Sequence, residues 1–211
     1  MKDSHKLWIS LAAIAAMSLA VPALARAVKA DEEDKIVLAA GEEPPKDHVR
    51  PQVFLSVDRL PAGGTCRVAV MLDVESGWHI NTNPARPEFV VPTTIKFKSE
   101  HGTKLAGIEY PTGKDLLIEG ADIPQSVYEG QVLLFGTLTI PEGAARETEE
   151  LTVEIKFQAC NERQCLAPKT KKLIGKVPVA APGETVKTVN EKVFEKDEKD
   201  KARKDRDRDA A

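Results

Sequence analysis

Cys160 and Cys165 are the residues of this chain best suited to chemistry. Only Asn161, Glu162, Arg163 and Gln164 separate them. They follow a run in which Leu151, Val153, Ile155 and Phe157 alternate with Thr152, Glu154, Lys156 and Gln158. That is the period-two pattern of a half-buried β-strand. A second strand-like run follows through Leu173 and Ile174, so the layout predicts a hairpin with a cysteine at each foot of its loop. Facing residues of an antiparallel pair have Cα atoms roughly 4.5–5.5 Å apart, within reach of a disulfide. Cys160 shares the even parity of Thr152 and Gln158, which predicts that it points away from the core and stays accessible.

Such a bridge has two readings. As a staple it contributes little, because closing a ring of six residues removes only about 2 kcal/mol of loop entropy, against about 4.7 for a 100-residue loop. As an exchange site it needs access for another thiolate, which the outward parity and the polar loop would supply. A zinc site built from Cys160, Cys165 and His79 is a third arrangement. It offers three ligands where closed structural sites take four, and His48 and His101 sit in linker and turn segments. The remaining thiol, Cys66, shares its parity with Val68, Val70 and Leu72 and is expected in the core. No nucleophile elbow or carboxylate pair is readable, which argues against a hydrolase. A thioredoxin-like reading would need Cys-x-x-Cys in a βαβ setting, and neither occurs.

The elements that must position these thiols read as short strands punctuated by Gly and Pro. Val53, Leu55 and Val57 alternate before the turn cluster Leu60-Pro-Ala-Gly-Gly64. Cys66, Val68, Val70, Leu72 and Val74 then line one face, and Glu75-Ser-Gly77 turns the chain into Trp78-His-Ile-Asn81. Further strands are expected over 94–97, 104–110, 116–119 and 131–140. Roughly eight strands with no amphipathic helix between them predict an all-β, immunoglobulin-like antiparallel sandwich.

The ends differ from this middle. Residues 1–25 read as a signal peptide: Lys2 and Lys6, an apolar run from Leu7 to Ala20, then Pro22 and Ala23-Leu-Ala25 as a small-residue cleavage site. No cysteine lies nearby, so no lipid attachment is expected. Export, to a periplasm or beyond, places the thiols where disulfides persist. No stable membrane span is expected once the signal is removed. Residues 26–50 read as a disordered linker, 51–178 as the folded domain, and 179–211 as a charged tail with a weak helix signal over 186–194. With a net charge of −3 and 5% aromatic residues, the 211-residue chain has neither the basic surface nor the stacking side chains of a nucleic-acid binder.

Three stretches together resemble the N-terminal periplasmic domain of DsbD, a thiol:disulfide interchange protein that carries reducing equivalents across the bacterial inner membrane. They are Gly77-Trp-His-Ile-Asn81, the turn Tyr128-Glu-Gly130 into Gln131-Val-Leu-Leu-Phe, and Phe157-Gln-Ala-Cys160-Asn-Glu-Arg-Gln-Cys165-Leu-Ala-Pro168. The similarity covers residues 50–175 approximately. It implies an immunoglobulin-like domain whose cysteine pair, here Cys160 and Cys165, alternates between disulfide and dithiol, with Cys165 as the docking thiol. It also implies a cap loop over 121–130 that opens when a partner docks. Val127 and Tyr128 stand where the family places covering aromatics, and His79 and Asn81 where better-known members have tyrosines flanking the sulfurs. This chain departs in having four residues between the cysteines rather than five, Leu-Ala-Pro in place of paired prolines, and Val127 in place of a large aromatic.

The partners that the resemblance implies are a membrane thiol conductor or thioredoxin-like protein, and periplasmic disulfide-bonded proteins. No cofactor is expected. Neither a membrane conductor nor a thioredoxin-like domain occurs in this sequence, so the chain is expected to supply the receiving end of a relay. The competing expectation is an extracytoplasmic binding or adaptor domain in which the 160–165 bridge is only structural.

Overall fold

The computed structural model describes residues 37–39, 48–118, 122–145, 147–195, 197–199 and 206. The predicted signal peptide lies outside them. In chain order the strands are β1 (Val37–Ala39), β2 (Val49–Leu55), β3 (Leu60–Pro61), β4 (Thr65–Val74), β5 (His79–Asn81), β6 (Thr94–Ser99) and β7 (Lys104–Glu109). There follow β8 (Lys114–Leu116), β9 (Gln125–Tyr128), β10 (Gln131–Thr139), β11 (Thr148–Phe157), β12 (Ala159–Cys160) and β13 (Lys169–Ala180).

They form an immunoglobulin-like antiparallel sandwich, as the alternation predicts. One sheet runs β1-β2-β4-β10-β7 and the other β3-β13-β11-β6. Between them, Val53, Val68, Val70, Leu72, Leu134 and Leu138 from the first sheet meet Leu151, Val153, Ile155, Phe157, Leu173 and Val177 from the second. Burying a Leu, Ile, Val or Phe side chain contributes about 1.5–3 kcal/mol, so this shared core dominates the stability. Cys66 lies in the same core, as its parity predicts. Burial pushes its thiol up to about 12, which keeps it protonated and unreactive at neutral pH.

A third, small sheet runs β12-β5-β9-β8 and carries the cysteine loop. Its feed from β4 is a tight turn in which Gly77 adopts φ +81°, a left-handed conformation open to glycine at no steric cost.

Two expectations are corrected at the ends. Within the predicted linker, residues 37–39 pair with β2 as β1, because a short apolar Val-Leu-Ala run meets the free edge of β2. Within the predicted charged tail, β13 continues to Ala180 and a helix occupies 191–195 and 197–199. This helix docks on the outer face of the first sheet through Phe194, only 5% exposed, against Phe54, Ala69 and Phe135. The Arg67 guanidinium lies 5.1 Å from the Phe194 ring centroid, and it pairs with Asp197 and, at 3.2 Å, with Glu198. Apolar residues of outward parity on β2, β4 and β10 supply the surface that a solvated tail would lack. Among the described residues no helix is long and apolar enough to cross a membrane.

A buried carboxylate ties β11 to the turn between β6 and β7. Glu149, 0% exposed, accepts hydrogen bonds from the His101 backbone N–H at 2.7 Å and the Thr103 hydroxyl at 2.8 Å. Both oxygens are satisfied, which offsets the cost of burying a polar group.

Candidate functional site

The cysteine loop is built where the chain leaves one sheet for another. β11 runs in the second sheet until Phe157, which faces Lys169 of β13. Gln158 belongs to neither ladder, and its side-chain amide donates to the Leu166 carbonyl at 2.9 Å. Beyond it β12 joins β5, with Ala159 opposite Ile80 and Cys160 opposite His79. Strand parity does not carry across such a break, and the outward, accessible placement expected for Cys160 is therefore corrected. Cys160 is 1% exposed, whereas Cys165 is open to solvent. The two are disulfide-bonded with Cα atoms 4.0 Å apart.

The loop holds its shape by more than the bridge. Asn161 Oδ1 accepts from the backbone N–H groups of Arg163 and Gln164, each at 2.9 Å. The Asn161 N–H donates to the Gln164 carbonyl, and the Leu166 N–H donates to the Ala159 carbonyl. This is an Asx-type turn, in which a short polar side chain substitutes for a backbone acceptor.

Paired residues of an antiparallel ladder point to the same side of the sheet. Ala159, Ile80 and Tyr128 form one such row, and all three belong to the core. Cys160 and His79 point the other way, as do Asn81 and its partner Val127. Of the residues expected around the sulfurs, the structure thus gathers His79, Asn81 and Val127 on the side of Cys160. Tyr128 is directed into the core, and its hydroxyl donates to the Pro111 carbonyl at 2.8 Å. Burial pushes that phenol up to about 12, so it holds its proton at neutral pH.

Part of the expected cap is strand: its residues 125–128 are β9, hydrogen-bonded between β5 and β8, while 122–124 and 129–130 are loop. Residue 121 lies outside the described residues. Leu117 and Ile123 are exposed. The segment 82–93 is tied to Asn81 of β5. Asn81 Nδ2 donates to the Val91 carbonyl at 3.0 Å, Thr93 Oγ1 donates to the Asn81 carbonyl at 2.6 Å, and Asn83 Nδ2 donates to the Thr93 carbonyl at 3.0 Å. Nothing in the sequence announced this clamp, because its polar residues read as ordinary loop composition.

Among the described residues, two buried polar side-chain atoms lack a hydrogen-bond partner, His79 Nε2 and Asn81 Oδ1, on the side of β5 that Cys160 shares. His79 is 4% exposed. Burial holds its imidazole below the usual histidine range, while the nearby Glu129 carboxylate pulls the other way. Glu129, not singled out from the sequence, follows β9 and pairs with Lys114 of β8 at 3.2 Å. A cavity of about 280 Å³ opens beside Glu129, lined by Tyr110, Val127, Tyr128 and Phe135 among others. Neither cysteine lines it. Among the described residues, no group of three or more His, Cys, Asp or Glu side chains is disposed to hold a metal ion.

The family described as the N-terminal region of the thiol:disulfide interchange protein DsbD matches residues 49–175. Among solved structures, the chain is similar to the N-terminal periplasmic domain of ScsB from Proteus mirabilis, at 12% identity and a TM-score of 0.49, covering 70% of this chain and 53% of that one. The chain thus spans about half the length of that structure. It is also similar to the GAE domain of yeast GGA1, at 11% identity and a TM-score of 0.39, covering 68% of this chain and 99% of that one. No curated protein sequence matches.

Proposed function

This chain belongs to the DsbD N-terminal family, and from that membership we propose that it is an exported thiol–disulfide exchange module whose Cys160–Cys165 pair cycles between disulfide and dithiol. The observation that carries the reading is the asymmetry of the bridge, one sulfur-bearing residue exposed and the other buried, on a loop ordered by its own hydrogen bonds. An incoming thiolate reaches Cys165 and forms the mixed disulfide there, and Cys160 leaves as the released thiol. In reverse, Cys160 resolves the mixed disulfide and frees the partner. The attack needs no movement of Cys160, only access at Cys165.

The partners fitting this role are a membrane thiol conductor or another thioredoxin-like protein on one side, and disulfide-bonded extracytoplasmic proteins on the other. The segments 82–93 and 122–130 are the parts through which a partner would gain or lose access. Residues 1–25 serve as the export signal in this account. A purely structural bridge within an adaptor domain is the competing account.

Equilibration in glutathione buffers of graded composition, followed by acid quench, alkylation and intact-mass measurement, decides between them. The exchange module opens and closes its bridge reversibly within the span of extracytoplasmic potentials, roughly −180 to −300 mV. A bridge that stays closed in the native fold under the strongest of these buffers leaves only the structural reading.

A further inference from the structure

Every buried polar atom in a folded protein ordinarily has a partner, so an unpartnered one beside a reactive bond points to a state in which the partner arrives. His79 Nε2 is such an atom, on a strand position directly opposite Cys160 and directed to the same side of the sheet. The disulfide sulfur of Cys160 carries no hydrogen and cannot donate to it. The thiol created by reduction can, because an S–H donates to an imidazole nitrogen.

We infer that His79 Nε2 is the proton acceptor for Cys160 when that thiol resolves a mixed disulfide carried on Cys165. The inference rests on the exchange reading and adds a residue to it. In the step, Cys160 Sγ attacks Cys165 Sγ. The 160–165 bond forms as the bond between Cys165 and the partner's sulfur breaks, and the partner's sulfur leaves with the bonding electron pair. Two electrons pass from the dithiol to the partner's disulfide overall. The Cys160 proton moves to His79 Nε2 and from there to the leaving thiolate or to water. In the opposite direction the imidazolium returns its proton to the Cys160 thiolate.

Cys160 is buried, and burial disfavours a bare thiolate, so its proton needs an acceptor at the moment of attack. Glu129 is the charged group facing His79 from the end of β9, and its carboxylate is engaged by Lys114 of β8. Tyr128 points to the core and holds its proton. Asn81, two residues from His79 on the same side, is not basic, but its unpartnered Oδ1 is an acceptor for an imidazolium N–H. Burial keeps His79 neutral at pH 7, which leaves one ring nitrogen with a lone pair, and the nearby Glu129 carboxylate favours the imidazolium once formed.

The test is the reaction of reduced protein with oxidised glutathione, timed by acid quench and mass spectrometry from pH 5 to 9. Both the mixed disulfide on Cys165 and its resolution are followed, in the unaltered protein and in His79→Phe. The unaltered protein is expected to resolve at a rate that stops rising with pH once the imidazole is neutral, at a pH below the usual histidine range because burial disfavours the imidazolium. His79→Phe is expected to resolve on the order of 100-fold more slowly at pH 7, climbing with pH toward the thiol's own titration, while mixed-disulfide formation is unchanged. Identical pH profiles overturn the inference alone, and failure to form any mixed disulfide overturns it together with the exchange reading. A His79→Phe protein that does not fold is replaced by a measurement on the unaltered chain. The ¹⁵N resonance of His79 Nε2 must move between the disulfide and dithiol states, and a resonance that stays in place also overturns the inference.

Discussion

Opening the Cys160–Cys165 bond is expected to leave the domain folded and only modestly weaker. The bridge closes a ring of six residues, Cys160 through Cys165, so its entropic contribution is about 2 kcal/mol. A folded domain has about 5–15 kcal/mol in reserve. The loop also keeps its Asx turn and the bond from the Leu166 N–H to the Ala159 carbonyl when the sulfurs separate. The expected drop in melting temperature on reduction is about 4–8 °C. The assay is thermal and urea unfolding of the oxidised and dithiothreitol-reduced protein, with unchanged m-value as the sign that the folded state is the same. Asn161→Ala sharpens the comparison. It removes the acceptor of two backbone N–H groups, costing about 1 kcal/mol, and costs more in the reduced protein, where the covalent bridge no longer helps to hold the loop. If reduction instead removes more than about 5 kcal/mol or abolishes the cooperative transition, the reasoning from ring size fails and the bridge is a staple.

Other consequences concern the scaffold. Glu149→Ala leaves the His101 N–H and the Thr103 hydroxyl without their acceptor, for an expected loss of about 3–5 kcal/mol by urea unfolding, and Glu149→Gln is expected to lose less because one oxygen remains. Phe194→Ala is expected to cost about 2–4 kcal/mol and to raise binding of a hydrophobic dye, since it uncovers Phe54 and Phe135. Cys66 has a folded-state thiol pKa of about 12, above the unfolded value of 9.0. Its contribution is complete below pH 9 and is lost as pH rises toward 12, so stability falls by up to about 1.4 kcal/mol per pH unit in that window and Cys66→Ala flattens the slope.

The sandwich was legible because its strands are half-buried and say so in period two: Val68, Val70 and Leu72 on β4, and Leu151, Val153 and Ile155 on β11, all lie in the core. The position of the cysteines past the end of β11 was legible for the same reason. The orientation of Cys160 was not, since it depends on the break at Gln158 and on pairing with a strand some 80 residues earlier. The docked C-terminal helix escaped because its anchor is a single phenylalanine among charges. A signal did exist on the receiving side, where Ala69, Met71, Leu133 and Phe135 make β4 and β10 apolar on both parities. The 82–93 clamp and the burial of Glu149 arise from tertiary hydrogen bonds, which no local pattern records.

The central claim is that Cys165 receives the partner while Cys160 waits beneath it, and single-cysteine trapping tests it most directly. Cys160→Ala and Cys165→Ala proteins are mixed with an oxidised thioredoxin-like protein lacking its own resolving cysteine and activated as a mixed disulfide, and adducts are mapped by peptide mass. The account predicts a stable adduct on Cys165 in the first variant, formed at least about 100-fold faster than any on Cys160 in the second, as expected when only one thiol is accessible. Equal rates in the two variants, or faster capture by Cys160, would contradict it.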